Sequence, residues 1–553
     1  MSKEDSHNPT EFLVTFQPSG QRLICLPGER LLEVARQNGV RIPADCGGRG
    51  RCRSCAVRIE GAAPDPTSTD RDTFSSAELD AGWRRACQAQ LHGPCSVYLP
   101  RLLSIVTGQN DGPSCVPVEQ PILVPDREPG FWLRDDYRVG PLPGTRALGM
   151  AVDLGTSNIA AALLDLASGE VICTAAVENP QVVFSADVIG RMTHALANPA
   201  SGCQMQQLAV EAIAELARRL TDGCSEAIAE VAVAGNSVMQ HLLLGLPLES
   251  LAKAPYRPYT LGETNRLAAA LGLHLALGTW LQVGPNIAAF IGSDHVAALL
   301  EVMADPPKSP WMLIDIGTNT EISIFSEGVL RSASCASGPA FEGGILSCGM
   351  RAAPGAITRT HLVGDNISLE TIGSVAPVGI CGSGVVSLVS EMLRNGVIDK
   401  RGRLQLTRPG VREQDGLREF VLAEAARDGA MPVVFTQTDI RAVQLAKAAI
   451  RTGLDMLLES AGLQEEEIER FIVAGAFGKY LDLESAVAMG LLPAVPAGRI
   501  VQVGNAAGAG VRRMLVCARA RQRALQLAQQ AQYLDLASRQ DFHVAFARRS
   551  FFA

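Results

Sequence analysis

Several features are scarce in this chain, and each scarcity removes a class of function. None of the 553 residues belongs to a run of about 20 apolar residues, so no segment reads as a membrane-spanning helix. The opening MSKEDSHNPTE is polar and acidic, without the basic-then-apolar order of a secretory leader, and a cytoplasmic protein is expected. Basic charge is not in excess: the formal net charge is −8, which argues against general affinity for nucleic acid or anionic membrane. Partners are therefore expected among proteins and small molecules. Eight histidines form no evident catalytic arrangement, and His241 in MQHLLLG reads as a packed helix residue. Neither a P-loop nor a G-x-G-x-x-G turn occurs, so nucleotide folds of those two classes are not supported.

What remains is a globular composition, 47% apolar and 19% charged, in a chain too long for one core. Fourteen cysteines in such a chain are expected to be mostly reduced thiols. One group has ligand spacing. In residues 45–61, DCGGRGRCRSCAVRIEG, Cys46, Cys52 and Cys55 form C-x5-C-x2-C, and Cys87 follows in WRRACQAQL. Three thiolates from one loop and a distant fourth suit a [2Fe–2S] cluster. Gly47, Gly48 and Gly50 let backbone approach the sulfides, and Arg49, Arg51 and Arg53 set positive charge beside an anionic group. A zinc site usually presents two short ligand pairs, which this pattern lacks. Cys95 is a rival fourth ligand. The flanks read as a hairpin (EFLVTFQ and QRLICLP), a helix (GERLLEVARQNGV) and two later strands (CAVRIEG, CSVYLP). Residues 10–100 thus resemble β-grasp ferredoxins, the x5 spacing being nearer the adrenodoxin and bacterial catabolic type. In that resemblance the cysteine of ACQ is a ligand, which selects Cys46, Cys52, Cys55 and Cys87.

Residues 101–146 carry seven prolines and read as a linker, either swinging or docked. Beyond it, MAVDLGTSNIAAALLD (150–165) and MLIDIGTNTEISIFS (312–326) repeat one device, an aspartate at the end of an apolar strand, a glycine-hydroxyl turn and a second strand. Turn amides and hydroxyls suit phosphate oxygens, and the aspartate suits a hydrated metal ion or a water. The pair resembles the two phosphate loops of the superfamily of acetate and sugar kinases, Hsp70 and actin. That resemblance assigns Asp153, Gly155, Thr156 and Ser157 to one loop and Asp315, Gly317, Thr318 and Asn319 to the other. Glu321 either positions water or is an ordinary strand residue. Gly475, Ala476 and Gly478 in RFIVAGAFGKYLD fit an adenosine loop, and Gly382 and Gly384 in PVGICGSGVVSLV are expected to line the same cleft.

The expected architecture is therefore α/β and multidomain, a β-grasp ferredoxin domain followed by a duplicated ribonuclease-H-like ATPase of the actin/Hsp70 type. The boundaries read as 1–100, 101–146, 147–310 and 311–553. A ferredoxin head on such an ATPase, with NPQVVFSADVIGRM, GNSVMQHLLLGL, CASGPAFEGG and TQTDIRAVQLAKAAI, resembles the reductive activators of corrinoid proteins over nearly the full length. The resemblance implies ATP with Mg2+, electron transfer from a [2Fe–2S] cluster to cobalt(II) of a corrinoid protein, an electron donor of unstated identity and a possible homodimer. A redox-sensing ATPase or kinase, and a nucleotide-gated electron carrier without turnover, are the other classes. Cys335 and Cys381 read as structural, and the C-terminal residues 515–546 as packing helices.

Overall fold

Alternation of apolar and polar residues makes Phe12–Gln17 a one-sided strand, with Val14 and Phe16 wholly buried. It anchors a five-stranded mixed sheet in the order Gln21–Cys25, Phe12–Gln17, Cys95–Tyr98, Ala56–Gly61, Trp83–Arg85. Phe12–Gln17 runs antiparallel to the first and parallel to the third of these. The helix Leu31–Gln37 covers one face, burying Leu31, Leu32, Val34 and Ala35. This is the β-grasp head. The computed structural model describes residues 11–552 except 18–19, 39, 41, 43–54, 72–73, 100–112, 145, 186, 344, 365, 415 and 425–431.

The proline-rich stretch is docked from residue 113 onward, while residues 101–112 lie outside the described residues. Val124–Pro125, Trp132–Arg134 and Tyr137–Val139 form a small antiparallel sheet. Val116, Leu123, Val139 and Leu142 are buried in a core shared with both following halves. A buried ion triad pins the sheet. Glu230, with no exposed surface, lies 3.2 Å from the Arg134 guanidinium and accepts a 2.8 Å bond from Arg521. Removing one member of such a group strands a buried charge, so the contact fixes where the stretch can sit.

Two six-stranded sheets follow, with the same order over five strands and the sixth strand at opposite edges. In the first, Leu148–Leu154, Asn158–Asp165 and Val171–Glu178 form an antiparallel meander, and Ile228–Gly235 and then Trp280–Val283 add in parallel beside Leu148–Leu154. In the second, the meander is Trp311–Ile316, Thr320–Ser326 and Val329–Cys335, with Arg470–Ala474 and Ile500–Gly504 added in parallel beside Trp311–Ile316. Edge strands Thr264–Leu267 and Gln532–Tyr533 complete them. Burial on both faces explains the largely apolar runs of the central parallel strands Ile228–Gly235 and Arg470–Ala474, whereas the outer Ile500–Gly504 leaves Val501 and Val503 exposed. The helices Ser293–Val302 and Ala506–Val516 cross where the halves meet. Gly510 permits this, because a side-chain carbon there would stand 1.8 Å from the Ala297 carbonyl oxygen. The fold is thus the ferredoxin head and the duplicated actin/Hsp70-like body. The C-terminal segment is helical over Ala518–Gln530 and Phe542–Arg549.

Candidate functional site

Each meander opens with a strand that ends at an aspartate, and both aspartates face one cavity of about 1010 Å³ between the halves. Asp153, Gly155, Thr156 and Ser157 line it from one side, and Asp315, Gly317, Thr318, Asn319 and Glu321 from the other. Gly155 is required by the turn, since a side-chain carbon there would lie 2.6 Å from the Asn158 carbonyl oxygen.

The segments that accompany the loops in sequence turn out to brace them. Asn179 donates to the Gly155 carbonyl at 2.8 Å, the buried Arg191 donates to the Thr156 carbonyl at 2.7 Å, and Asn236 donates to the Thr156 hydroxyl at 3.0 Å. Asn236 also caps the helix Ser237–Leu244 through Met239 N. On the other side Ser337 donates to the carbonyls of Gly317 and Thr318 at 3.0 and 3.2 Å, and Gly338 N donates to the Thr318 carbonyl at 2.9 Å. Thr436 and Asp439 form the capping box of the helix Gln437–Ala461, and Asp439 accepts from Ser347 N.

The cavity is rich in carboxylates. Burial, and behind it the neighbouring Asp153, pushes Asp315 up to about 7. Burial likewise raises Asp294 to about 7, with Asp153 and Asp315 adding to it. Glu321, the cross-strand partner of Asp315, is raised well above the carboxylate range by burial and by Asp294 and Asp315. Asp153 is raised by burial, an effect opposed by the 2.8 Å bond it accepts from Asn505. Carboxyls that repel one another in a desolvated cleft either share protons or hold a cation. Among the described residues no three His, Cys, Asp or Glu converge as a direct ligand set.

Gly475 and Gly382 line the cavity, together with Phe477, Tyr480 and Arg512. Gly475 has φ +91°, and a side-chain carbon there would stand 2.9 Å from Asp315 Oδ1, so its freedom serves the second loop. Gly384 and Gly478 stand behind the wall: their close neighbours are the Ile357 carbonyl and Val473. Ala476 opens the short helix Ala476–Tyr480. Cys335 is buried and donates to the Thr320 carbonyl, whereas Cys381 borders the cavity and donates to the Ile357 carbonyl at 3.2 Å. His241 is buried, bonded to the Ser237 carbonyl at 2.6 Å and to Tyr259 N at 2.9 Å. Sequence reasoning passed over Asn236, Asp294, Glu342, Asn505 and Arg512, all in the cavity wall.

In the head, Cys55 and Cys87 bring their sulfurs to 3.3 Å in a buried setting, and Ala86 N donates to the Cys55 carbonyl. Cys46 and Cys52 lie outside the described residues. Cys95 pairs in register with Gly61, at the other end of the strand that begins beside Cys55, some 16 Å away at about 3.3 Å per residue. Burial pushes the Cys95 thiol up to about 11. Two converging thiols fit half of a four-thiolate cluster.

Fold and site define the class: a ferredoxin-type head joined to a duplicated actin/Hsp70-like body with a cleft between its halves. Comparison with known proteins narrows it. Residues 14–92 match the 2Fe-2S iron-sulfur cluster binding domain, residues 148–305 the RACo middle region, and residues 309–553 the C-terminal domain of RACo, the ASKHA domain. The chain is 30% identical over 541 residues to the corrinoid activation enzyme RamQ of Eubacterium limosum, covering 88% of this chain and 89% of that one. It is 28% identical to the [Co(II) methylated amine-specific corrinoid protein] reductase of Methanosarcina barkeri, over 66% of this chain and 70% of the other. A solved structure of a reductive activator for corrinoid, iron-sulfur protein superposes with TM-score 0.69 at 27% identity, covering 98% of both chains. The chain belongs to the RACo-type family of reductive activators of corrinoid proteins.

Proposed function

We propose that this chain passes one electron from a [2Fe–2S] cluster in its head to cobalt(II) of a corrinoid protein, giving cobalt(I), and that ATP bound with Mg2+ in the cleft drives the exchange. The observation that carries the reading is the joint presence, on a chain of this family, of the converging Cys55 and Cys87 thiols and of two phosphate-type loops facing one cavity. Bound by Cys46, Cys52, Cys55 and Cys87, the cluster supplies one-electron chemistry near −400 mV if plant-type. Each further 59 mV uphill costs about a factor of ten in equilibrium constant. Cobalt(I) lies uphill, so energy must enter through another ligand, and a ligand shifts an equilibrium only through unequal affinity for its two states. On this reading ATP binds the partner-engaged and free forms unequally, and an external low-potential donor refills the head.

In the cleft, Thr156, Ser157, Thr318 and Asn319 would receive phosphate oxygens, while Asp315, with Asp153, Asp294 and Glu321 nearby, would hold a hydrated magnesium ion and orient water. Gly382, Gly475, Tyr480 and Arg512 would border the adenosine. The test is anaerobic: reduce the purified protein, confirm iron and sulfide, and follow a cobalt(II)-loaded corrinoid protein by visible absorption with and without ATP. The cobalt(I) band should form only with ATP and be lost in Cys55→Ser and in Asp315→Ala. An ATPase rate indifferent to the corrinoid protein would overturn the coupling.

A further inference from the structure

One side chain in the cleft wall joins the two loops directly. Glu342 accepts from the Ser157 hydroxyl through one carboxylate oxygen at 2.8 Å and from the Thr318 hydroxyl through the other at 2.6 Å. These donors come from opposite halves, and they are the hydroxyls that the ATP reading assigns to phosphate oxygens. The segment that carries Glu342 is held to the second half. It is the short helical turn Pro339–Glu342, whose Ala340 and Phe341 are buried. It ends at Gly343, where φ is +72° and a side-chain carbon would lie 2.6 Å from the Met350 carbonyl oxygen. Phe341 stacks on Phe477 with ring centres 5.4 Å apart and planes 18° off parallel. Gly382 allows that stack, since a side-chain carbon there would stand 1.9 Å from the Phe341 carbonyl oxygen. A second cross-cleft tie, Arg351 to the buried Glu178, runs at 2.6 Å.

We propose that Glu342 is an internal competitor of the nucleotide's phosphates. Its carboxylate takes the hydroxyl donors of both loops and draws the halves together, and a polyphosphate must displace it to bind. The inference rests on the ATP reading of the cleft. A carboxylate and a phosphate cannot share these donors, because both are anionic acceptors with no proton to offer. The stack fixes the turn that carries Glu342 against the wall formed by Gly475 to Tyr480. The clasp therefore opposes ligands whose phosphates reach both loops and leaves adenosine, which lacks them, untouched, so Glu342 sets how tightly nucleoside polyphosphates bind.

The test uses the full-length holoprotein with Glu342→Gln, which keeps the shape and one acceptor oxygen without the charge, and Glu342→Ala, which removes the bridge. Calorimetric titration with ADP in EDTA should show binding tightened about tenfold or more in both variants, as expected when a charged acceptor stops competing, with adenosine affinity unchanged. Hydrogen exchange in protein prepared without nucleotide should speed up in Glu342→Ala at residues 155–158 of the first loop, 185 positions away in the chain. Weaker ADP binding in the variants would overturn the proposal by making Glu342 a ligand. Equal tightening for adenosine and ADP would overturn it by making the effect purely structural. Unchanged exchange at 155–158 would remove the clasp whether or not nucleotide binds, whereas absence of nucleotide binding in every form, with exchange at 155–158 still accelerated, would instead remove the ATP reading and with it the competition.

Discussion

The two loops share D-x-G-T and one strand-turn-strand scaffold, yet they differ in what faces their aspartates. In the first half the residue paired across the hairpin from Asp153 is Ala160, and the carboxylate is satisfied by an amide from the second half, Asn505. In the second half the residue paired with Asp315 is Glu321, another carboxylate. The second turn is also one residue tighter: Ile316 pairs with Thr320, where Leu154 pairs with Ile159. Duplication supplied a symmetric cradle, and divergence placed a second carboxyl across the hairpin from only one of its two aspartates. A symmetric anion gains from the cradle, while a cation bound with it gains from the asymmetry.

The sharpest way to break this comparison is to neutralise each aspartate in turn. Asp315→Asn should lower ATP-dependent cobalt reduction by about 10²- to 10³-fold, the scale of losing a group that stabilises transition-state charge. Asp153→Asn should cost about tenfold, because an amide opposite Asn505 keeps one hydrogen bond. The check is the initial rate of cobalt(I) formation at saturating ATP over a magnesium titration. Equal losses would mean that the asymmetry around the aspartates has no bearing on chemistry.

A smaller effect is expected from the braces. Asn236→Ala removes a helix cap and the bond to Thr156 together, and should destabilise the protein by about 1–2 kcal/mol and raise the KM for ATP. Ser337→Ala removes bonds to the Gly317 and Thr318 carbonyls, the second of which is still held by Gly338 N, and should cost about 1 kcal/mol. Thermal unfolding and ATP titration of the two variants side by side would show whether the first loop leans harder on its brace than the second.

How far the sequence carries depends on where each residue acts. The loops were legible because strand, turn and strand are local, and because their repetition 160 or so positions apart is hard to produce by chance. The head was legible from cysteine spacing and two-residue periodicity, and the choice between Cys87 and Cys95 becomes geometric only once the sheet sets them at opposite ends. Asp294 sits in the first turn of an apolar helix with no motif around it, and its proximity to Asp315 depends on how the halves close. Glu342 and Asn236 belong to segments that stood out as family-like, CASGPAFEGG and GNSVMQHLLLGL, but their partners lie in other elements. Local patterns name the scaffold, and contacts between distant elements name the braces and the clasp.

The subtlest expected difference between the halves is in the pH dependence of stability. Burial and its neighbours push Asp315 up to about 7. Well below the ordinary carboxylate pKa near 3.9, the group is protonated in folded and unfolded chains alike, and it contributes no difference. Between there and about pH 7 the unfolded chain has released the proton and the folded chain keeps it, so the folded state binds more protons and stability falls as pH rises. Above that window the cost is complete. Asp315→Asn removes it, and without metal or nucleotide the variant should melt level with the parent near pH 4 and above it at pH 8. Water entry and relaxation of the cleft should hold the gap to about 1 kcal/mol, or about 2–4 °C. Asp153→Asn should show the same sign with smaller amplitude, since Asn505 already offsets part of the burial cost. Mg2+ with ATP should close the gap by neutralising the carboxylate wall, and a gap that persists under those conditions would place the ion away from Asp315.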